Sequence, residues 1–215
     1  MDRKEKATEF DNIAETIFFP IYPIIAARML EIAAIRGGLC LDIGSGGGHL
    51  GIALSKLWDG EVILADNNPA AVEIAARRLA ANRAERIETL FGDVHDLPLA
   101  QSSVDLVVSR GAMWFWDKAR SLLEIWRILA DGGAAVLGAG FGNKELSDRI
   151  AKEMTVLNGE DWPQSRKRFT DGASPSDYAD IASDIGLPSE VIKDESGEWL
   201  VLRKSAAGEE LRICG

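Results

Sequence analysis

Polar and apolar positions change their rhythm twice along this chain, and those changes outline its architecture. After a charged start, Met1-Asp2-Arg3-Lys4-Glu5-Lys6, the stretch from Phe10 to Ala34 mixes aromatic and aliphatic residues around Pro20 and Pro23. It predicts two helices, 11–18 and 23–35, separated by Pro20-Ile21-Tyr22-Pro23 and ended by Arg36-Gly37-Gly38. From residue 38 short apolar runs alternate with longer amphipathic segments. Strands are expected at 38–43, 61–65, 86–91, 104–109 and 134–138, with helices at 47–57, 69–82, 117–129, 143–157 and 175–186. Pro69 stands at the favoured first turn of its helix, and Asp117 stands where a cap belongs. Residues 158–173, with Gly, Pro and charges, predict a surface loop. The runs 190–194 and 199–203 flank Ser196-Gly197 and read as a hairpin.

Alternating strands and helices followed by a hairpin imply an α/β fold. We expect a doubly wound, mostly parallel, seven-stranded sheet of Rossmann-like type, with an antiparallel C-terminal hairpin strand at its edge. Residues 1–36 are expected to form an N-terminal helical cap or lid, and 37–215 the main domain, together one structural unit.

The end of the first strand carries the strongest chemical signal. Leu39-Cys40-Leu41-Asp42-Ile43 runs into glycine at every second position, Asp42-x-Gly44-x-Gly46-x-Gly48. Such glycines make a tight turn in which a ligand can touch bare backbone. An acid at the strand end repels a phosphate and suits an ammonium group. S-adenosylmethionine, with its amino-acid end, is a ligand of that kind. A rival register, Gly46-Gly47-Gly48-His49-Leu50-Gly51, fits the dinucleotide fingerprint but begins about three residues late for it. A tight turn without a ligand is the third reading.

The other strand ends carry candidate chemistry too, and open α/β sheets bind ligands there. Asp66 can accept from both hydroxyls of a ribose, or can cap the helix at Asn67-Asn68-Pro69. Asp93 can accept from an adenine amino group and the Val94 amide can donate to a ring nitrogen, or the segment can be a plain polar turn.

Charge and cysteine usage narrow the partners. Acids outnumber bases 34 to 24, for a net charge of −10, which disfavours nucleic acid as the main partner. The patch Arg166-Lys167-Arg168 is too short to reverse this. Cys40 reads as a buried small hydrophobe and Cys214 as a tail thiol, and no Cys/His spacing suggests a metal. No export segment and no uninterrupted apolar run of about 18 residues is found, so a cytoplasmic protein without a membrane span is expected.

Taken in order, Asp42-x-Gly44-x-Gly46-x-Gly48, Asp66, Gly92-Asp93-Val94-His95-Asp96-Leu97-Pro98, Ser103-Val104-Asp105-Leu106-Val107, Leu123–Leu129 and Asp131-Gly132-Gly133 resemble the class I S-adenosylmethionine-dependent methyltransferases, of the small-molecule, menaquinone-methyltransferase-like type. The resemblance implies that Asp42 lies near the methionine amino end. Gly44 and Gly46, with Ser45 between them, face the methionine and ribose. Asp66 holds the ribose, with Asn67 beside it against the adenine. Asp93 and Val94 hold the adenine edge, and Ser109 and Arg110 border the sulfonium. Arg110 is unusual for the family. It reads as a clamp for a substrate carboxylate or phosphate, as a partner of the cofactor's own carboxylate, or as a structural ion pair with Asp42 or another acid. Trp114 and Trp116 are candidates for an apolar wall beside the transferred methyl, with Phe18 and Tyr22 closing from the N-terminal side, although core packing explains each of them too.

The implied reaction is in-line displacement from S-adenosylmethionine to a small-molecule acceptor, leaving S-adenosylhomocysteine and needing no further cofactor. His49 and His95 read as structural, and no general base is nominated. Two other classes fit parts of the pattern: an S-adenosylmethionine-binding protein without turnover, and an NAD-dependent oxidoreductase. The acceptor atom is left open, as is the choice between monomer and homodimer.

Overall fold

The glycine motif follows β1 (Gly37–Ile43), the middle strand of a seven-stranded sheet in the computed structural model, which describes residues 2–159 and 161–206. On one side of β1 lie β2 (Asp59–Asp66) and β3 (Ile87–Phe91). On the other lie β4 (Val104–Arg110), β5 (Leu129–Gly140), β7 (Gly197–Arg203) and β6 (Ser189–Asp194), giving the order β3-β2-β1-β4-β5-β7-β6. Neighbours pair in parallel except β7, which runs antiparallel to both β5 and β6. The order reverses between β1 and β4, and a crevice at that switch point is where such sheets bind ligands.

The reversed strand is second from the edge. In β7, Trp199 to Leu202 are buried, so it needs cover on both faces and a partner on both sides. In β6 every residue is exposed except the half-buried Ile192, and such a strand tolerates the edge.

Helices cover both faces. The N-terminal layer comprises α1 (Arg3–Ile13) and α2 (Tyr22–Ala33), and α3 (His49–Ser55) and α4 (Pro69–Asn82) join it. One apolar cluster holds Ile25, Met29, Cys40, Leu54, Leu64, Val108 and Val136 between these helices and the sheet. On the opposite face, Leu41, Ile43, Val107 and Leu137 pack with Leu122 and Ile125 of α5 (Lys118–Ile128). The remaining helices are α6 (Lys144–Asn158), α7 (Trp162–Thr170) and α8 (Pro175–Asp184).

Besides the edge position expected of the reversed strand, three further expectations change. Residues 158–173 are not an irregular loop, because α7 occupies most of them, with Asp161 before it and Pro163 in its first turn. The prolines at 20 and 23 do not split the N-terminal layer. A π turn over Ala14–Phe18 and a 3-10 turn over Phe19–Ile21 absorb the missing N–H groups and carry α1 into α2. β5 extends through Asp131-Gly132-Gly133, with an irregular register against β4 between Val104 and Leu106. Cys214 lies outside the described residues.

The continuous helical run Arg3–Ala33 is long and apolar enough, by length and composition, to cross a membrane. Its apolar face is the one that covers the sheet: Ile21, Ile25, Ala26 and Met29 are fully buried.

Candidate functional site

Three turns at the carboxyl ends of β1, β2 and β4 converge at the switch point. The glycine turn hangs on β2. Gly44 and Ser45 donate to the Ala65 carbonyl at 2.8 and 3.1 Å, and Gly46 donates to Asp66 Oδ2 at 2.9 Å. Its glycines differ in purpose. A Cβ at Gly44 would stand 2.3 Å from the Ala112 Cβ, and one at Gly48 would stand 2.6 Å from Leu64, so both allow protein to close on protein. At Gly46 (φ +54°) a Cβ would meet nothing within 4 Å. Its bare backbone therefore borders open space, as a cradle for a ligand requires.

Asp42 is buried and its Oδ2 accepts from the Gly51 N–H at 2.9 Å, in the first turn of α3. Loss of solvation pushes its carboxyl up to about 7, more than the Gly51 bond pulls it down. Asp66 accepts from Gly46 with one oxygen and from the Asn68 N–H, at 2.8 Å, with the other. Each oxygen keeps a second lone pair. Burial raises its pKa as well. Asn68 caps α4 by accepting from Ala70 at 3.1 Å.

After β3, Asp93 Oδ1 accepts from the His95 N–H at 2.9 Å and from His95 Nδ1 at 2.5 Å, and these bonds hold its pKa down, the backbone one foremost. His95 Nε2 accepts from the Asp117 N–H at 3.0 Å. His95 is therefore the neutral tautomer protonated at Nδ1, a strut between the β3 turn and the start of α5. The Val94 side chain is buried, and its N–H makes no hydrogen bond among the described residues. Ser109 is buried and its hydroxyl donates to the Ile43 carbonyl at 2.7 Å, tying β4 to β1.

The N-terminal layer lies over these turns. Arg3 donates to the Asn67 carbonyl at 3.1 Å, and Asn68 Nδ2 donates to the Arg3 carbonyl at 2.8 Å. Arg78 on α4 takes both oxygens of Asp11 at 3.0 Å, takes Glu15 at 2.6 Å, and donates to the Gly47 carbonyl. His49 Nε2 lies 3.1 Å from Asp11, and its ring stacks on Tyr22 with centroids 5.2 Å apart. Asp11, Glu15 and His49 bring three metal-type ligand atoms within 4.8 Å, and the Arg78 guanidinium bonds to both carboxylates.

Arg110 makes no ion pair with Asp42 or any other acid among the described residues. Its Nε donates to the Gly140 carbonyl at 3.0 Å. Its guanidinium carbon lies 5.0 Å from the Phe18 ring centre, 5.3 Å from Phe141 and 5.8 Å from Tyr22. Trp116 approaches the glycine turn, 4.0 Å from a Cβ at Gly44, and Trp114 lies beside Gly111. Phe115 between them is exposed. Of the predicted residues, Gly46, Asp66, Asn67, Asp93 and Val94 thus group on the β2–β3 side, and Arg110, Phe18 and Tyr22 on the β4 side. The hydroxyl of Ser109 is spent inside the sheet.

Five residues that sequence reasoning missed belong here: Asp11, Arg78, Phe141, Trp162 and Arg166. Asp161-Trp162-Pro163 was a readable helix start, and it places Trp162 and Arg166 one turn apart on one face.

Comparison with known proteins agrees with this architecture. The family described as a methyltransferase domain matches residues 40–133. A candidate S-adenosyl-L-methionine-dependent methyltransferase of Methanococcus maripaludis has a crystal structure that superposes with a TM-score of 0.89. It is 38% identical in sequence, over 97% of each chain. The ubiquinone/menaquinone biosynthesis C-methyltransferase of Blochmanniella floridana is 29% identical over 156 residues, 70% of this chain and 59% of that one. Trans-aconitate 2-methyltransferase of Mycobacterium tuberculosis is 29% identical over 178 residues, 80% of this chain and 63% of its own. The chain thus spans about three-fifths of the length of these two curated relatives. With the sheet order, the glycine cradle and these similarities together, the chain belongs to the class I S-adenosylmethionine-dependent methyltransferases.

Proposed function

We propose that this protein methylates a small-molecule acceptor by in-line displacement, with its cofactor lying across the ends of β1 and β2. The observation that carries the reading is Gly46, whose open backbone stands directly beside the Asp66 carboxylate. When bound, S-adenosylmethionine supplies a methyl group already activated by its sulfonium. The protein then has to hold, align and exclude water.

Each residue has a part in that task. Asp66 offers its free lone pairs to the ribose hydroxyls, and Asn67 lies beside it. Asp93 and the unpaired Val94 N–H stand where an adenine edge can meet an acceptor and a donor. Gly44 and Ser45 shape the turn, and Asp42 holds α3 in place behind it. Trp116 walls the cradle, with Trp114 behind.

Residues 1–36 act as a lid on this domain. Arg3 latches it to Asn67, and Asp11 latches it to Arg78 above the glycine turn. Phe18 and Tyr22 bring its inner face against Arg110. Both histidines are engaged structurally, His49 against Asp11 and His95 against the Asp117 N–H.

A small acceptor fits the net charge of −10, which offers nucleic acid no broad basic face. The test is turnover. Protein incubated with methyl-labelled S-adenosylmethionine and pools of small acids, amines and phenols should pass label to one chemical class and release S-adenosylhomocysteine. Tight cofactor binding with no label passed to any pool would favour a binding protein without turnover.

A further inference from the structure

We propose that Arg110 and Arg166, set in the aromatic row Phe18, Phe141 and Trp162, form an anion-binding cleft that anchors the acceptor by a carboxylate or phosphate. This rests on the methyltransferase reading above and names the class of its substrate.

The row is built from distant parts of the chain: the lid, the end of β4, the residue after β5, and α7. The rings of Phe18 and Phe141 lie 5.9 Å apart, and those of Phe141 and Trp162 lie 5.7 Å apart. Arg110 sits 5.0 Å from the first ring and 5.3 Å from the second. Arg166 sits 4.8 Å from the second and 5.7 Å from the third. Both arginines thus share Phe141.

Neither cation has an anion among the described residues. Beyond the bond from Arg110 Nε to the Gly140 carbonyl, no hydrogen bond or ion pair takes either guanidinium among the described residues. The side chains of Arg110 and Arg166 are both half-buried, neither sealed in the core nor free on the surface. Burial lowers the proton affinity of both groups, and the Arg166 charge lowers that of Arg110 further.

Two half-buried like charges side by side are unfavourable unless something compensates them. Aromatic faces compensate in part. A carboxylate or phosphate would do the rest, because it matches the guanidinium fork in bidentate geometry. The rings beside it would receive a flat apolar body. Two sources of such an anion are conceivable, the acceptor and the cofactor's own carboxylate. Arg166 favours the acceptor: it lies over Phe141 and Trp162, and no hydrogen bond or ion pair joins it to the glycine turn among the described residues.

The probes are benzoate and phenyl phosphate, with benzamide as the neutral control. They are titrated into full-length protein saturated with S-adenosylhomocysteine. Both anions should bind and benzamide should not. Arg166→Gln should weaken the anions by about tenfold or more while leaving S-adenosylhomocysteine affinity within about twofold. Arg110→Gln should do the same to the anions, and an unchanged thermal midpoint shows that each variant is folded. Equal binding of benzamide, or indifference to Arg166→Gln, would overturn the proposal. So would competition between benzoate and S-adenosylmethionine accompanied by weaker cofactor binding in Arg166→Gln, which would hand the anion to the cofactor. If the wild type binds no S-adenosylhomocysteine, the methyltransferase reading fails by itself, and benzoate titrated into the protein alone then decides the cleft.

Discussion

Asp42 Oδ2 accepts from the Gly51 backbone N–H at 2.9 Å, so the acid of the glycine motif also caps the helix that follows the turn. The N-cap of α3 is Gly48, which has no side chain to do so. One residue thereby ties the end of β1 to the first turn of α3, and it does so as a buried carboxyl.

That burial has a pH signature. Unfolded, the group titrates near 3.8, and folded it is pushed up to about 7, mainly by lost solvation. Between those values the folded state holds the extra proton, so the stability this group contributes is present below the lower value and lost as pH rises through the upper one. Asp42→Asn cannot ionise and keeps an oxygen for Gly51. Its stability relative to wild type should rise between about pH 4 and about pH 8, by up to on the order of 4 kcal/mol. Denaturant unfolding of both proteins at several pH values reads the difference, and a flat difference would refute it.

The glycine turn should respond unequally to alanine. Gly44→Ala forces a Cβ against Ala112 at φ +69° and should cost about 2–4 kcal/mol of stability. Gly46→Ala has room and should cost only about 1 kcal/mol for its positive φ. It should nonetheless weaken S-adenosylmethionine clearly, since the new methyl points into the cradle. Thermal melts with and without cofactor separate the two effects.

The link between α1 and α4 can be opened from α4. Arg78→Met leaves Asp11 and Glu15 facing each other without their cation and should cost about 1–3 kcal/mol. Amide exchange in α1 and the following π turn should speed up, while the strands keep their protection. The His49 pKa, now held down first by burial and then by the Arg78 charge, should move upward in an NMR titration. An unmoved His49 would contradict the arrangement.

The strut at His95 predicts a local failure. His95→Ala removes the acceptor of the Asp117 N–H and the imidazole from Asp93. The start of α5 should fray, and the Asp93 pKa should rise. Stability should fall by about 1–2 kcal/mol.

The middle of the sheet was legible because β1, β2 and β4 carry buried, mostly apolar runs, and α4 was readable from Asn68-Pro69 to Asn82. Hidden features came from compensation. Pro20 and Pro23 look like breaks, yet a π turn and a 3-10 turn let the helix pass them. α7 was masked by Gly159, Pro163 and its charges, so Arg166 appeared as a surface patch. At the candidate site, the residue types at 42, 46, 66 and 93 stood out in the sequence as candidates, being tied to strand ends. The surroundings of Arg110 did not, because Phe18, Phe141 and Arg166 reach it from three separate elements and share no local spacing with it.

Whether Asp66, beside Gly46, holds the cofactor is read most directly by isothermal titration. S-adenosylmethionine and S-adenosylhomocysteine should bind wild type in the micromolar range. Asp66→Ala should lose about 2 kcal/mol or more of that affinity, roughly thirtyfold. A folded wild type that binds neither ligand, or an Asp66→Ala variant that binds both as well as wild type, would contradict the account.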